Sequence, residues 1–237
     1  VPADFEPARG TGRGALAIVI DDVGNADGSL ARLERLSGPL AIAVLPGAPR
    51  AREAAALARR KGWDLLVHLP MAGARGPVEP GTITSEDDDA GIARRVGEAI
   101  DAVPGAVGLN NHQGSLATAD RRVMRAVLSV VHARGLFFLD SKTSAATVAS
   151  EEAHAIGLAT LPRDVFLDDA QAEAATLGGA PEALGAALER ALAIAAERGH
   201  AVAIGHPGAA TVELLTRKLP ELERRGVLRV RVSELVD

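Results

Sequence analysis

The stretch Ala15-Leu-Ala-Ile-Val-Ile-Asp-Asp22 decides the fold, because six apolar residues run directly into two adjacent carboxylates. A continuous apolar run of this kind is typical of a strand that is buried on both faces of a parallel sheet. The functional groups of such sheets collect where the strands end. We therefore expect Asp21 and Asp22 to lie at the mouth of an α/β fold and to help build a polar active site.

Similar apolar runs recur along the chain and alternate with helical patterns. Besides residues 15–20, the strand candidates are residues 40–45, 64–69, 106–109, 136–139, 158–161, 201–204 and 228–232. The helical patterns cover residues 49–61, 86–102, 120–134, 181–198 and 211–225. Alternation of strands and helices predicts βαβ units and a mainly parallel sheet. We expect a closed or nearly closed barrel of about seven to eight strands, with a doubly wound open sheet as the alternative.

The domain organisation follows from composition and length. Residues 1–14 are rich in Pro and Gly and have no apolar period, which predicts a flexible lead-in. Residues 15–237 are expected to form a single barrel domain, since barrels of this size commonly do. Residues 70–85 are the longest irregular insertion, and we expect them to form a loop over the site.

Composition also excludes several classes of function. The formal net charge is −5 and no Lys/Arg run is interleaved with aromatics, so nucleic-acid binding is not expected. The chain has no cysteine, which excludes disulfides and thiolate ligands. Its apolar runs are far shorter than the roughly 20 residues that cross a bilayer, so no membrane span is expected in this chain. Neither GxxxxGK[ST] nor a GxGxxG after a strand is present, so nucleotide-binding loops are not supported.

Polar side chains follow six of the predicted strands at the point where each strand ends. They are Asp21, Asp22, His68, Asn110, Asn111, His112, Ser115, Asp140, Ser141, Lys142, Arg163, Asp164 and His206. Because the carboxyl ends of parallel strands surround one cavity, we expect these groups to share one site. The structural alternatives are an N-cap role for Asp22 and an ordinary core position for His68.

Two adjacent carboxylates repel each other, and a cation, a proton or solvent must offset the repulsion. One Asp and two His would supply a set of ligands for Zn²⁺ or a similar divalent ion, with positions left for water and substrate. Such a metal polarises a carbonyl, a second carboxylate accepts the proton of the water, and a histidine protonates the leaving group. We therefore expect a divalent metal cofactor. A serine nucleophile at Ser141 beside Lys142 is the weaker alternative, because its flanking residues do not match a nucleophile elbow.

The polar motifs resemble those of the divergent polysaccharide deacetylases, a bacterial branch of the carbohydrate esterase family 4-like proteins. The motifs are Ile18-Val-Ile-Asp-Asp-Val-Gly24, His68-Leu-Pro-Met71, Gly108-Leu-Asn-Asn-His-Gln-Gly-Ser115, Phe138-Leu-Asp-Ser-Lys-Thr-Ser144, Arg163-Asp-Val-Phe-Leu-Asp168 and Ala203-Ile-Gly-His-Pro207. The resemblance covers about residues 15–237 in the same order. It implies a deformed (β/α) barrel and a site of the metal-dependent deacetylase type.

By the same resemblance, Asp21 would be the general base, Asp22 a metal ligand and His206 the general acid. We infer from their strand-end positions that His68 and His112 complete the ligand set, with zinc as the expected metal. The remaining polar residues would bind substrate or surround the ligands. They are Asn110, Asn111, Ser115, Asp140, Ser141, Lys142, Arg163 and Asp164.

The expected function is removal of an N-acetyl or O-acetyl group from a cell-envelope polysaccharide, so the expected partner is a carbohydrate. The resemblance suggests a periplasmic or other extracytoplasmic location, with any anchor lying outside this sequence. Gln113, Leu116 and Gly208 stand where the divergent branch leads us to expect Met, Arg and His. A catalytically inactive carbohydrate-binding protein therefore stays an alternative, as does a hydrolase of another small amide or ester. The sequence gives no oligomeric state.

Overall fold

The computed structural model describes residues 14–25, 28–76, 78–168 and 180–236, so the predicted lead-in lies almost entirely outside the described residues. The strands are β1 (Ala15–Val23), β2 (Ala41–Val44), β3 (Asp64–Met71), β4 (Gly108–Gln113), β5 (Phe137–Asp140), β6 (Thr160–Pro162), β7 (Val165–Phe166), β8 (His200–Gly205) and β9 (Leu228–Val230). The helices are α1 (Ser29–Leu33), α2 (Ala51–Lys61), α3 (Asp89–Ala102), α4 (Arg121–Ala133), α5 (Ala149–Ala155), α6 (Ala180–Arg198) and α7 (Ala209–Arg224). Short 3₁₀ turns lie at Ala117–Ala119 and Val232–Glu234.

The strands form one sheet in the order β6-β5-β4-β3-β2-β1-β8-β7, and each pairing is parallel. Strand β1 lies in the interior of the sheet, since β8 pairs with one of its edges over residues 15–20. Strands β9 and β2 share the other edge, at residues 15–17 and 19–23. This interior position explains why residues 15–20 are an unbroken apolar run.

The two outer strands of the sheet, β6 and β7, follow each other in the chain. Between them, the backbone N–H of Arg163 donates to the carbonyl of Asp140 (2.8 Å), and the N–H of Asp164 donates to the carbonyl of Val202 (2.9 Å). Two residues therefore carry the chain from the edge of β5 to the edge of β8, which requires the sheet to curl until these edges meet. The architecture is the predicted deformed (β/α) barrel and not an open, doubly wound sheet.

Alternate residues of the strands pack on opposite faces of the curled sheet. Val19, Leu66 and Ile204 belong to the inner core, whereas Ile20 and Val67 belong to the larger core that also contains the buried faces of the helices. Asp21 lies two residues after Val19, and His68 two residues after Leu66. Both side chains therefore lie on the inner face, at the carboxyl end of the barrel. The fold thus directs these side chains into the opening at the carboxyl ends of the strands, which we call the mouth of the barrel.

Each predicted strand position holds a strand, but several strands run further than the apolar pattern indicated. Strand β1 continues through Asp21 and Asp22, and β4 continues to Gln113, because backbone pairing does not require apolar side chains. Strand β7 and the short helices α1 and α5 were not predicted, since segments of two, five and seven residues are too short for a clear period. Within the described residues, no helix is long and apolar enough to span a membrane.

Candidate active site

Three side chains from neighbouring parts of the sheet converge at the carboxyl end of the barrel. Asp22 Oδ1 lies 3.0 Å from His112 Nδ1 and 3.2 Å from His68 Nε2, and the two ring nitrogens are 3.1 Å apart. His68 is buried, and the other two residues are partly exposed. The three atoms form a nearly equilateral triangle that strands β1, β3 and β4 hold in place.

This triangle fits a divalent metal ion. Asp22 Oδ1 is a buried oxygen for which the described part of the chain provides no hydrogen-bond partner of suitable geometry. The donor atoms of a tetrahedral zinc site lie roughly 2.0–2.2 Å from the ion and therefore about 3.3 Å from one another. Asp22, His68 and His112 thus have the donor types and the spacing that such an ion needs.

The hydrogen bonds of Asn110 determine which nitrogen of His68 faces the triangle. Asn110 Nδ2 donates to the carboxylate of Asp21 (2.9 Å), which leaves Asn110 Oδ1 to face His68 Nδ1 at 2.9 Å. Because an amide oxygen only accepts, Nδ1 of His68 carries the proton. In the neutral imidazole, His68 Nε2 then presents its lone pair to the triangle, as a metal-binding imidazole must.

The backbone of Asp22 is what lets two consecutive carboxylates reach one site. Regular alternation would send Asp21 and Asp22 to opposite faces of β1, but Asp22 has a φ of 56° and the register with β2 shifts between Ile20 and Val23. Gln113 (φ 54°) and Lys142 (φ 47°) adopt similar left-handed conformations at the ends of β4 and β5. Such conformations cost about 1–2 kcal/mol each in non-glycine residues and concentrate at functional sites.

The two carboxylates have opposite electrostatic environments. Burial alone would raise the pKa of Asp22, but the neighbouring rings of His112 and His68 outweigh it and hold that pKa well below the ordinary value. Burial raises the pKa of Asp21, and the charge of His68 and the hydrogen bond from Asn110 only partly offset it. Asp22 is therefore a permanent anion, whereas Asp21 takes up a proton more readily.

A fourth group, His206, follows β8, the strand that pairs with β1 on the side away from β2. Its Nε2 lies 3.8 Å from Asp22 Oδ2, and its Nδ1 lies 3.0 Å from Asp168 Oδ1. Asp168 Oδ2 also accepts from the backbone N–H of His206 (2.6 Å) and from Thr211 Oγ1 (3.1 Å). Burial lowers the pKa of His206, but the hydrogen bond and charge of Asp168, together with Asp22 and Asp21, outweigh it and raise the pKa to about 9.

Sequence reasoning assigned no role to Asp168, although the residue lies within one of the quoted motifs. The strand-end rule would have found Asp168, which follows β7 by two residues, but β7 itself was not predicted. Phe166 of the same strand stacks with the ring of His206, with centroids 6.1 Å apart and an interplanar angle of 16°. Strand β7 and the residues that follow it thus contribute two of the neighbours that orient His206.

Asn111 and Ser141 join the ends of β4 and β5 beside the triangle. Asn111 Oδ1 accepts from the N–H of Ser141 (2.9 Å), and its Nδ2 donates to the carbonyl of Gln113 (2.7 Å). Ser141 Oγ is 3.3 Å from Asn110 Nδ2. These bonds hold Asn110 and His112 in their positions on β4.

Three further predicted residues contact the loops around the site. Asp140 accepts from the N–H of Lys142 (2.8 Å) and from Thr147 Oγ1 (2.9 Å), while the Lys142 side chain is exposed. Ser115 Oγ accepts from the N–H of Ala74 (2.8 Å) and so holds the loop that follows β3. The structure therefore places all three outside the triangle, with Asp140 buried and Lys142 exposed.

Arg163 and Asp164 lie where the barrel closes. Arg163 Nε donates to the carbonyl of Ser141 (2.7 Å), and its guanidinium lies 3.8 Å above the centre of the Phe166 ring. Asp164 Oδ2 accepts from the N–H of Val202 (2.8 Å), and its Oδ1 is 3.7 Å from Arg198. The contacts of Asp164 are thus directed away from Asp22.

The loop between β3 and α3 adds a carboxylate that the sequence did not single out. Glu79 Oε1 lies 3.4 Å from His112 Nε2, on the nitrogen that faces away from the triangle. The same loop lines a cavity of about 450 Å³, together with residues that include Leu45, Pro46 and Arg95. An isolated Glu in an irregular insertion carries no spacing signal, so sequence reasoning had no means of finding it.

The deformed barrel, with its polar side chains at the carboxyl ends of the strands, is of the carbohydrate esterase family 4 type. The chain belongs to the divergent polysaccharide deacetylase family, whose model matches residues 18–236.

The chain is also similar to uncharacterized proteins of two bacteria. The uncharacterized protein YibQ of Escherichia coli is 38% identical over 210 residues, which cover 88% of this chain and 63% of that protein. The chain therefore spans less than two thirds of this relative. An uncharacterized Agrobacterium tumefaciens protein has a similar structure (TM-score 0.87, 22% identity, 96% of this chain and 91% of that one).

Two more distant structures share the fold. A family 4 carbohydrate esterase from Streptomyces lividans, in complex with acetate, matches with a TM-score of 0.53 and 14% identity over 92% of this chain and 91% of that one. A family 4 pseudoenzyme from Bacillus anthracis matches with a TM-score of 0.56 and 12% identity over 95% of this chain and 66% of that one.

Proposed function

We propose that this protein is a metal-dependent hydrolase that removes N-acetyl or O-acetyl groups from a cell-envelope polysaccharide. The observation that carries the proposal is the triangle of Asp22 Oδ1, His68 Nε2 and His112 Nδ1, with sides of 3.0–3.2 Å. Family membership supports a carbohydrate substrate. The acetate in the Streptomyces lividans esterase supports an acetyl group as the part removed.

Asp22, His68 and His112 would hold the metal, and we propose zinc because its preferred geometry and ligand types match this set. When bound, such an ion polarises the carbonyl of the substrate and lowers the pKa of water. The three residues leave the outer side of the triangle to solvent, since Asp22 and His112 are only partly buried. The open side is where an acetyl group would enter.

Asp21 would accept the proton of the attacking water. Its Oδ1 is already held by Asn110 Nδ2, and its Oδ2 faces the triangle 3.7 Å from His68 Nε2. A second carboxylate oxygen is therefore directed at the reacting region while the first is fixed. Burial makes this carboxylate more basic than an ordinary Asp, which favours proton uptake.

His206 would protonate the leaving nitrogen or oxygen. Asp168 holds the Nδ1 side of the ring, and Nε2 lies 3.8 Å from Asp22 Oδ2. A pKa raised to about 9 keeps His206 protonated at neutral pH, as a proton donor requires. The proposed base and acid are carried by the paired strands β1 and β8.

The polar residues around the triangle would support the substrate-binding edge, the buried ones by holding its loops. We propose this role for Asn111, Ser115, Asp140, Ser141, Lys142 and Arg163, which hold or border the loops after β3, β4 and β5. For Asp164 we propose a structural role instead, because its contacts are with Val202 and Arg198. We also propose a periplasmic or other extracytoplasmic location, where such a polysaccharide is found.

Acetate release from acetylated cell-envelope glycans tests the proposal. The zinc-loaded protein is compared with Asp21→Asn and with Asp101→Asn, a control at an exposed residue paired with Arg134 on the outer side. We expect release by the wild type and the control, and a loss of about 10²–10⁴-fold in Asp21→Asn. Equal release by Asp21→Asn would show that Asp21 is not the base, and release only from other small amides or esters would change the substrate class.

A non-catalytic carbohydrate-binding protein is the second candidate, and the pseudoenzyme among the structures of this fold supports it. Its signature would be glycan binding without acetate release by the zinc-loaded wild type. Glycan binding and acetate release measured on the same zinc-loaded wild type therefore separate the two candidates, and Asp21→Asn, whose side chain keeps its size, serves as a control for binding without turnover.

A further inference from the structure

We propose that Glu79 is a positioning residue for His112: it holds the proton on Nε2 and thereby directs the lone pair of Nδ1 to the metal. The inference rests on the metal site proposed above. It adds to that site a residue from a loop that lies outside the strands which carry the ligands.

The two nitrogens of His112 have different neighbours. Nδ1 lies 3.0 Å from Asp22 Oδ1 and 3.1 Å from His68 Nε2, whereas Nε2 lies 3.4 Å from Glu79 Oε1. An ionised carboxylate only accepts hydrogen bonds, so it favours the tautomer with the proton on Nε2. That tautomer leaves Nδ1 free to bind a cation, which is the arrangement that metal-binding histidines commonly have with a carboxylate behind them.

The backbone of Glu79 is fixed by a buried threonine. The N–H of Glu79 donates to Thr82 Oγ1 (3.1 Å), and Thr82 Oγ1 donates to the carbonyl of Glu79 (2.8 Å). Arg95 Nη1 in turn donates to the carbonyl of Thr82 (2.9 Å). The turn that carries Glu79 is therefore closed on itself and attached to α3.

The same turn is also attached to β3, the strand that carries His68. The N–H of Ile83 donates to the carbonyl of Pro70 (2.9 Å), and the N–H of Ala72 donates to the carbonyl of Ile83 (2.8 Å). Ile83 is fully buried. Glu79 thus has a defined position relative to the ligand strands, although its own side chain is 32% exposed.

The pairs Glu79–His112 and Asn110–His68 have the same arrangement, although the first contact is longer, at 3.4 Å against 2.9 Å. In each pair, one ring nitrogen faces the triangle and the other faces an oxygen acceptor from a different element. The partner of His112 is a carboxylate, which makes the imidazole a better donor than an amide does. His112 is the only ion-pair partner of Glu79 within the described residues, so an ordinary surface pair with Lys or Arg does not account for its position.

Zinc affinity of the purified protein tests the proposal, measured by competition with a chromophoric chelator. The variants are Glu79→Ala, Glu79→Gln and the control Glu98→Gln, which lines the same cavity but pairs with Arg94. We expect Glu79→Ala to bind zinc about 10–100-fold more weakly and Glu98→Gln to bind as the wild type does. Glu79→Gln should fall between them, because an amide oxygen still accepts a hydrogen bond. Unchanged affinity in Glu79→Ala would overturn the proposal.

A second pair of variants shows whether Glu79 acts through His112. In the His112→Ala background, Glu79→Ala is expected to cause no further loss of zinc affinity, and a further loss of the same size would contradict the proposed route. Thermal unfolding of the metal-free variants checks that they are folded. If Glu79→Ala is not folded, the zinc affinity of Glu79→Gln tests the proposal instead. If the wild type binds no divalent metal, the proposed function is refuted. If zinc binds but its affinity does not change when Glu79 is replaced, only this inference is refuted.

Discussion

Single residues around the triangle act by fixing where protons reside. Asn110, Glu79 and Asp168 each hold the nitrogen of a histidine that faces away from the mouth. The histidines themselves were predicted from sequence, because they follow apolar strands. Their partners were harder to predict, since pairing depends on strand register across 42 residues for His68–Asn110, on an irregular loop for Glu79 and on an unpredicted strand for Asp168.

Replacement of Asp168 should change the titration of His206. In the metal-free protein, we expect the imidazole of His206 to titrate near pH 9 and Asp168→Asn to lower that midpoint toward 6.5, because the hydrogen bond and the negative charge are lost. NMR titration of the histidine ring signals measures both midpoints. An unchanged midpoint in Asp168→Asn would mean that Asp168 does not control His206.

The same pair should make stability depend on pH. Because folding raises the pKa of His206, its protonation stabilises the native state fully below pH 6.5, and this contribution is lost as the pH rises through about 9. We expect the free energy of unfolding of the metal-free protein to fall between pH 6.5 and 9, and to fall less in Asp168→Asn. Denaturant unfolding at both pH values measures the difference, and identical falls would contradict the assignment.

Among the secondary-structure elements, the strands were more predictable than their ends. Continuous apolar runs located the strands, but β1 and β4 extend into the polar residues of the site. The turn after β4 shows why: Gln113 has a φ of 54° and Gly114 a φ of 92°, so the strand ends by a local change of backbone and not by a change of polarity. Only glycine adopts the second conformation without strain.

This turn gives a prediction with a matched control. Both Gly114 and Gly81 have positive φ, but a Cβ at Gly114 would lie 3.2 Å from Asn111 Nδ2 and from Met71 Cβ, whereas nothing lies within 4 Å of one at Gly81. We expect Gly81→Ala to cost about 1 kcal/mol from backbone strain alone, and Gly114→Ala to cost about 2–3 kcal/mol. Denaturant unfolding compares them, and equal costs would mean that the packing around Gly114 is not tight.

At the scale of the whole molecule, the two ends of the barrel differ: one carries the polar site, and the other carries contacts that stabilise the fold. The carboxyl ends of the strands carry the site, while Asp64 at the start of β3 accepts from the N–H (2.8 Å) and hydroxyl (2.9 Å) of Ser233. The barrel class could be predicted from the alternation of strands and helices. Its closure through residues 160–166 could not, because it depends on contacts between β5 and β8, which are distant in sequence.

The division between the two ends predicts that stability and metal binding can be separated. Asp64→Ala should lower the free energy of unfolding by about 1–3 kcal/mol, because it leaves the N–H and hydroxyl of the partly buried Ser233 without their acceptor. Its zinc affinity should equal that of the wild type, since Asp64 lies at the opposite end of the barrel from Asp22. Unfolding and chelator competition on the same preparation test both halves, and a loss of zinc affinity in the folded variant would contradict the separation.

A crystal structure of the zinc-soaked protein, with anomalous diffraction measured at the zinc edge, tests the central claim most directly. We predict one ion bonded to Asp22 Oδ1, His68 Nε2 and His112 Nδ1 at roughly 2.0–2.2 Å. Zinc bound elsewhere on the molecule, with no anomalous signal at these three atoms, would contradict the proposed metal site. Coordination by the opposite nitrogen of His112 would contradict the role that we assign to Glu79.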